Sequence, residues 1–423
     1  MHTVLSRRRL LAAGIATVAL VGMSACGEDA KPAAADGPVS GKITFWHAYS
    51  ADSQEVKALR EVIIPGFKAK HPGTEVVEVA VPYDTLHQKL ITAAAGGTLP
   101  DVVRSDIGWV PELAKLGVLE RLDKAMPDYQ SFADKVFPGA LTTNRYKGGY
   151  YGLPLDTNTR VLMYNADTLA KAGVAGPPKT FDELKALGDK LAGSKTAAFT
   201  DNGLSGWNVL PWIWSAGGDI TDPDYTKATG YLNSPQTLAG VQLLFDLYGK
   251  GQLGKGVLGG TGAVPNDQGL VKGQYATIMD GPWMFPIFAS TFPDFKLRTS
   301  PVPAGPGGSI SVVGGEDVVV MKSSANKALA LEFTRYLLSD EAQLAMAKVG
   351  QMSVLKNLDV TSVDPNYAPF VEQLKTAKPR PVVPAWPKID DLLQKKLQAA
   401  FRGEMTLQQA LDSAAAEIDK LLA

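Results

Sequence analysis

Two kinds of side chain in this sequence have types and positions suited to chemistry: carboxylates after predicted strands and tryptophans crowded into one stretch. Trp207, Trp212 and Trp214 lie within eight residues, and Trp283 follows the turn-forming run Asp280-Gly281-Pro282. Indole faces stack well on the apolar C–H faces of pyranose rings, whereas carboxylates accept hydrogen bonds from hydroxyls. For each tryptophan the alternative is packing in a hydrophobic core.

Signatures of catalysis and of metal binding are weak. The four histidines form no HExxH motif, and the sequence has no P-loop and no GxSxG elbow. Cys26 is the only cysteine, which excludes an internal disulfide and a multi-cysteine metal site. We therefore expect no cofactor, no metal and no enzymatic activity. The alternative is a glycoside hydrolase or lyase, because Asp106 with Asp156 or Glu316 could supply two carboxyls across a cleft.

Alternating strand and helix patterns place several polar side chains at one edge of a predicted sheet. Strands are predicted over Lys42–Trp46, Glu75–Val81 and Asp101–Arg104, with helical patterns between them. This alternation favours a parallel sheet flanked by helices, and ligands bind off the carboxyl ends of such strands. The side chains placed at that edge are His47, Tyr49, Ser50 and Asp106. For Asp106 the alternative is capping of the helix that follows it.

The stretch Gly148–Leu169 contains a polar insert in an otherwise apolar run. Asp156, Thr157 and Asn158 form the insert, and Thr159–Tyr164 is rich in β-branched, apolar and aromatic residues and predicts a buried strand. The insert indicates either a turn or the point where the chain leaves one lobe for another. In the second case Asp156 faces a cleft between the lobes.

The N-terminus is predicted to be a targeting segment and not part of the fold. Arg7-Arg8-Arg9 precedes an apolar stretch of about 14 residues, which is shorter than the roughly 20 needed to span a bilayer. Met23-Ser24-Ala25-Cys26 has the small residues before cysteine of a lipobox, so residues 1–25 would be removed and Cys26 lipid-modified. Residues 26–40 form a predicted flexible tether. The alternative is a plain secretory peptide with a chance cysteine.

Size and composition indicate a two-domain or bilobed globular protein. The chain has 423 residues, of which 45% are hydrophobic and 20% charged, and its formal net charge is −1. No basic run follows the N-terminal segment, so nucleic acid is excluded as a partner.

Several motifs resemble those of the extracellular solute-binding proteins that serve carbohydrate ABC importers, including maltose- and trehalose-type proteins. The motifs are GGYYGLPLDTNTRVLMYNADTLAKAG with PPKTFDEL, GGTLPDVVRSDIGWVPELAKLGVLERLD, DGPW and VVGGEDVVV. Together with the terminal helices they cover nearly all of the chain after the N-terminal segment.

The resemblance implies a two-lobed α/β fold of the periplasmic-binding-protein type II class. Each lobe is expected to be a mostly parallel sheet flanked by helices, with a ligand cleft between the lobes at a hinge. The chain would cross repeatedly between lobes. The first lobe would then take residues 41–154 and 316–358, and the second 157–313 and 364–423.

The resemblance also implies the positions of ligand contacts. Residues expected to meet the polar groups of a sugar are Asp106, Asp156, Gly315, Glu316 and Arg380. The expected stacking residues are Trp283 and one of Trp212, Trp214 and Trp386. The first-lobe side would be lined by His47, Tyr49 and Ser50. Glu316 stands where some relatives place an aromatic residue, a difference that concerns the ligand more than the fold.

The function implied is capture of a mono- or oligosaccharide and its delivery to the permease of an ABC importer. The expected protein is a monomer outside the cytoplasm, attached to the membrane through the lipid on Cys26. The glycoside hydrolase or lyase described above, also lipid-anchored, is the competing interpretation.

Overall fold

The computed structural model describes residues 39–259 and 264–423. The predicted signal segment 1–25, Cys26 and residues 27–38 of the predicted tether lie outside the described residues. The strands are β1 (Gly41–His47), β2 (Thr74–Ala80), β3 (Val102–Asp106), β4 (Arg145–Tyr146), β5 (Gly149–Tyr150), β6 (Leu153–Thr159), β7 (Val161–Tyr164), β8 (Ala197–Thr200), β9 (Tyr275–Asp280), β10 (Arg298–Ser300), β11 (Val312–Val320) and β12 (Lys378–Pro379).

Helices surround the strands. The α-helices are α1 (Gln54–Ala58), α2 (Ile64–Lys70), α3 (Tyr83–Gly96), α4 (Val110–Lys115), α5 (Leu122–Ala125), α6 (Tyr129–Ala133), α7 (Pro138–Thr142), α8 (Ala166–Lys171), α9 (Phe181–Leu191), α10 (Gly206–Ser215), α11 (Pro235–Gly249), α12 (Asn266–Val271), α13 (Met284–Thr291), α14 (Lys327–Leu337), α15 (Asp340–Ala347), α16 (Val360–Val363), α17 (Ala368–Leu374), α18 (Trp386–Phe401) and α19 (Leu407–Leu422). A π-helical turn (Leu59–Ile63) joins α1 to α2, and 3₁₀ turns occupy Lys255–Leu258 and Pro365–Tyr367. Within the described ranges, no helix is both long and apolar enough to cross a membrane.

Local sequence signals explain where several helices begin. The hydroxyl of Thr180 accepts a hydrogen bond from the backbone N–H of Glu183 at 3.2 Å, so α9 begins at the next residue. Thr406 and Gln409 form a reciprocal capping box at the start of α19. Each cap satisfies backbone donors that have no partner in the first helical turn.

The first sheet has the strand order β12-β11-β3-β1-β2, and β6 also pairs with β11. Strand β1 is parallel to β2 and β3, and β12 is parallel to β11. Strand β11 runs antiparallel to β3 and to β6. Ile43 and Phe45 point into one core beneath this sheet, whereas Trp46 packs with the cluster on the opposite face. Most pairings in this sheet are parallel, in agreement with the prediction.

The second sheet has the order β10-β7-β9-β8 and is mainly antiparallel. Only β8 and β9 are parallel, whereas β7 pairs antiparallel with both β9 and β10. The prediction of a mostly parallel sheet is therefore wrong for this part of the fold. Strand β7 follows β6 directly, without a crossover helix, so the rule for parallel βαβ units does not apply to it. The direction of β7 is set instead by β6, the strand that precedes it.

The polar insert is part of a strand. Asp156, Thr157 and Asn158 lie in β6, where they pair with Glu316, Gly315 and Gly314 of β11. The interpretation as a turn is therefore wrong, because the ladder with β11 outweighs the turn preference of aspartate and asparagine. The chain leaves the first sheet at Arg160, between β6 and β7.

Candidate functional site

Three carboxylates lie side by side on neighbouring strands of the first sheet. In the strand register, Glu316 of β11 is opposite Asp106 of β3 on one side and Asp156 of β6 on the other. All three belong to the predicted site. Like charges directly opposite one another destabilise a sheet, so this arrangement requires nearby cations.

Arg104 supplies one of these cations. Its Nη2 lies 3.1 Å from Asp156 Oδ2 and 2.7 Å from Glu316 Oε2, and its guanidinium carbon lies 4.2 Å from the ring centroid of Tyr49. The side chain is buried, and the two carboxylates raise its pKa against the opposing effect of burial. Sequence reasoning missed Arg104. The sequence feature that could have identified Arg104 is an arginine inside an apolar strand, two residues from Asp106 and therefore on the same face of that strand.

Asp106 is the most heavily hydrogen-bonded of the three acids. It accepts from Tyr83 Oη at 2.8 Å, from Arg380 Nη2 at 2.9 and 3.1 Å, and from the backbone N–H of Gly108 at 2.6 Å. Helix α4 begins at Val110 without a side-chain cap, so Asp106 orders the preceding turn and does not cap the helix. Sequence reasoning also missed Tyr83, which is 46% exposed at the start of α3.

Trp386 packs against the turn that holds Asp106. A Cβ on Gly108 or on Gly206 would lie 2.8 Å from its indole, so both positions need glycine for this contact. The indole is 2% exposed and belongs to the largest hydrophobic cluster, so its position favours packing over the predicted stacking on a ligand. Asp390, one helical turn later in α18, accepts a hydrogen bond from the backbone N–H of Gly206.

Trp207 occupies the centre of the aromatic contacts. The guanidinium carbons of Arg160 and Arg380 lie 5.5 and 5.8 Å from its ring. The ring of Trp283 is stacked near it, with centroids 6.5 Å apart and planes inclined by 27°. Trp207 and Trp283 are both half-buried. The predicted ligand residues did not include Trp207, although the tryptophan-rich stretch that holds it was recognised.

The other two tryptophans of that stretch lie elsewhere. Trp212 is fully buried and packs edge-on against Phe199, with centroids 5.1 Å apart. Trp214 is 2% exposed, and its Nε1 donates to Asp219 Oδ1 at 2.9 Å. Both belong to the largest hydrophobic cluster, so their positions favour packing over ligand stacking.

A second group of charges lies at the edge of the second sheet. Arg160 Nη2 donates to Asp201 Oδ1 at 2.6 Å, and Asn208 Nδ2 donates to the same oxygen at 2.6 Å. Asp280 ends β9 and accepts from the backbone N–H of Gly281 at 2.8 Å. Burial raises the pKa of Asp280 to about 6, against the opposing effect of Arg160.

The remaining predicted residues lie in the first sheet or next to it, with different surroundings. His47 is fully buried, its Nε2 lies 2.7 Å from Glu78 Oε2, and burial lowers its pKa. Tyr49 is buried beneath Arg104, whereas Ser50 is exposed in the loop after β1. Gly315 belongs to β11, opposite Thr157 of β6, and has φ +133°, a conformation that favours glycine. The structure therefore brings Tyr49 and Gly315 to the acids and pairs His47 with Glu78.

These contacts connect the edges of the two sheets into one group, here called the intersheet cluster. Its members are Tyr83, Arg104, Asp106, Asp156, Arg160, Asp201, Trp207, Asp280, Trp283, Glu316, Arg380, Trp386 and Asp390. Hydroxyl acceptors, guanidinium donors and indole faces are the groups that hold a polar ring compound. In the part of the chain that the structure describes, no group of three or more His, Cys, Asp or Glu side chains has metal-binding geometry.

Comparison with known proteins places this geometry in a family of binding proteins. The family profile described as bacterial extracellular solute-binding protein matches residues 50–344. A putative binding protein of Brucella abortus is 28% identical over 376 residues, covering 86% of this chain and 89% of that protein. The diacetylchitobiose binding protein DasA of Streptomyces coelicolor is 26% identical over 404 residues, 91% of each chain.

A solved structure agrees with these sequence matches. The ABC transporter solute binding protein of Thermotoga lettingae, bound with alpha-D-tagatose, superposes with a TM-score of 0.80 at 27% identity, covering 91% of this chain and 100% of that one. The fold is thus the two-lobed α/β type that the sequence resemblance implied. The matching relatives are binding proteins and not enzymes. Because the family profile matches well over half of its length, the chain belongs to the bacterial extracellular solute-binding proteins.

Proposed function

We propose that this protein captures a mono- or oligosaccharide outside the cytoplasm and delivers it to the permease of an ABC importer. The observation that carries this proposal is the convergence of Asp106, Arg380 and Tyr83 beside the half-buried indole of Trp207. Hydrogen-bonding groups beside aromatic faces suit the two surfaces of a sugar ring. The names of the similar proteins support the same ligand class.

Capture would depend on movement of two lobes about the paired strands β6 and β11. We assign residues 41–154 and 316–358 to the first lobe, and 157–313 and 364–423 to the second. Asp106, Asp156 and Glu316 belong to the first sheet, whereas Arg160, Asp201 and Asp280 lie at the edge of the second. A ligand that touches both groups stabilises the closed arrangement to the extent that it binds that arrangement better. Closure then reports occupancy to the permease.

The protein would act as a monomer that a lipid anchors to the membrane. Lipid attachment at Cys26 and a flexible tether to residue 40 would keep the binding lobes near the permease. Mass spectrometry of the membrane-extracted protein tests this part separately. A mature N-terminus other than a lipid-modified Cys26 would contradict the anchor and leave sugar capture unaffected.

Isothermal titration against a panel of neutral and amino sugars tests the main proposal. We expect at least one saccharide to bind with a Kd in or below the micromolar range and to be recovered intact after prolonged incubation. New reducing ends would instead indicate the glycoside hydrolase or lyase. Failure of every sugar together with binding of an amino acid, a peptide or a metal ion would overturn carbohydrate capture.

A further inference from the structure

Carboxyls outnumber guanidiniums in the intersheet cluster. Its carboxyls are Asp106, Asp156, Asp201, Asp280, Glu316 and Asp390. Its guanidiniums are Arg104, Arg160 and Arg380. Burial raises the pKa of Glu316 well above its ordinary value, but the other five carboxyls still outnumber the three guanidiniums, so the cluster carries an excess of negative charge at neutral pH.

The ion pairs do not spread the positive charge evenly. Arg104 is shared between Asp156 and Glu316, while Arg380 is committed to Asp106 and Arg160 to Asp201. Among the residues that the structure describes, neither Asp280 nor Asp390 has a cationic side chain within 4 Å. Glu316 adds less to the excess, because burial and the charge of Asp156 raise its pKa against the effect of Arg104. The uncompensated charge therefore lies mainly at the second-sheet edge and at the start of α18.

Buried oxygens in the same cluster also lack donors. Asp156 Oδ1 and Asp201 Oδ2 are inaccessible and have no hydrogen-bond donor within the described ranges, and both residues are more than nine-tenths buried. Asp280 is 8% exposed, and the hydrogen bonds that reach it come from neutral donors, the backbone N–H of Gly281 and the side chain of Trp283. Burial raises the pKa of Asp280 and of Asp390 to about 6, which leaves both mostly ionised at neutral pH. Buried carboxylates without a counter-charge are unfavourable unless a partner arrives.

The aromatic groups favour the same kind of partner. Trp283 is three residues after Asp280 in the turn that ends β9, and its ring lies near that of Trp207. The faces of indole rings attract cations. Two guanidiniums already lie within 6 Å of the ring of Trp207, so the indole left for a further cation is that of Trp283. A cation beside Asp280 and Trp283 would meet both a carboxylate and an indole ring.

We propose that the saccharide bound by this cluster carries a protonated amine, as glucosamine and its oligomers do. The sugar ring would contact the indoles of Trp207 and Trp283, and its hydroxyls would hydrogen-bond to Asp106 and Arg380. The ammonium group would supply the positive charge missing beside Asp280 and Asp390. This inference rests on the proposed function and specifies its ligand class.

The test compares sugars that differ only in the amine. The pairs are glucosamine with glucose, galactosamine with galactose, and chitobiose with cellobiose, and N,N′-diacetylchitobiose is a neutral control of the same linkage. We expect the amino member of at least one pair to bind at least tenfold more tightly than its neutral partner, with the difference shrinking as salt is added. Neutral partners that bind equally well or better in every pair would overturn the amine and leave sugar capture intact. Absence of binding by every sugar would overturn both proposals.

A matched pair of variants locates the charge. Asp280→Asn keeps the side-chain shape and removes the charge, so it should reduce the preference for the amino sugar about tenfold. Asp182→Asn removes an exposed carboxyl on α9, whose side chain is 92% accessible, and should leave the preference unchanged. Asp390→Asn provides a second test, at the other carboxyl that has no cationic side chain within 4 Å. The salt dependence of amino-sugar binding by the wild type provides a third test that needs no variant. An unchanged preference in both cluster variants would overturn the assignment.

Discussion

At the scale of single residues, the tryptophans divide into those at the sheet edges and those in the core. Trp283 is half-buried beside Trp207, whereas Trp212 has no exposed surface and packs against Phe199. A half-buried indole has a face available for a sugar ring, and a fully enclosed one has none. The two residues therefore predict opposite consequences for the same substitution.

Trp283→Ala should weaken saccharide binding about tenfold to a hundredfold, equivalent to about 1–3 kcal/mol, because it removes a stacking face. Trp212→Ala should instead lower the free energy of unfolding by about 3–5 kcal/mol through the cavity it leaves. Calorimetric titration and denaturant unfolding of both variants separate the two effects. A Trp283→Ala protein that unfolds far more easily yet binds sugar like the wild type would show that this indole serves packing.

At the scale of elements, the junction of β6 and β11 depends on one glycine. Gly315 adopts φ +133°, and a Cβ there would collide with the carbonyl oxygen of Asp156 and the Cα of Thr157. The register of the two strands also shifts between Glu316 and Asp317. The backbone at this point thus positions two of the three adjacent carboxylates.

Gly315→Ala should lower the free energy of unfolding by about 1–3 kcal/mol and also weaken sugar binding, because the strained backbone moves Asp156 and Glu316 apart. The control is Gly117→Ala. Gly117 also has positive φ, at +73°, but the space around its Cβ position is free of described atoms within 4 Å. The Gly117→Ala variant should lose about 1–2 kcal/mol of its free energy of unfolding and bind sugar like the wild type. Equal binding by both variants would contradict a role for this junction in the site.

At the scale of the whole molecule, the buried acids link folding to pH. Burial raises the pKa of Asp280 to about 6, with Arg160 lowering it and Asp201 raising it further, whereas an unfolded aspartate titrates near 3.9. The folded protein therefore holds more protons than the unfolded chain between about pH 4 and 6. Its free energy of unfolding should fall as the pH rises through this window.

Asp280→Asn should remove this contribution, so its stability relative to the wild type should rise by up to about 3 kcal/mol between pH 4 and 7. Asp128→Asn is the control with the opposite sign. A hydrogen bond from Arg335 at 2.8 Å lowers the pKa of Asp128, so the wild type loses that contribution as the pH falls. Urea unfolding across the pH range measures both differences. Parallel pH profiles for Asp280→Asn and the wild type would contradict the raised pKa.

Much of the fold followed from periodicity and motif, as did the position of several acids. Strands β1 to β3 and the caps at Thr180 and Thr406 were predictable because each depends on residues close together in the chain. Asp106 fell at a strand end for the same reason. The antiparallel second sheet was not predictable, since the direction of β7 depends on a strand that enters from the other sheet.

The sequence by itself determined the family, the two-lobed architecture and the residue types that a sugar site needs, because these follow from local patterns and motifs. Only the tertiary structure decided which of those residues meet. Arg380 reaches Asp106 across 274 positions, and Arg104, Trp207 and Tyr83 enter the cluster through contacts that no local spacing encodes. The division of the tryptophans into half-buried and fully buried ones is decided in the same way, because burial arises only when distant elements close around a side chain.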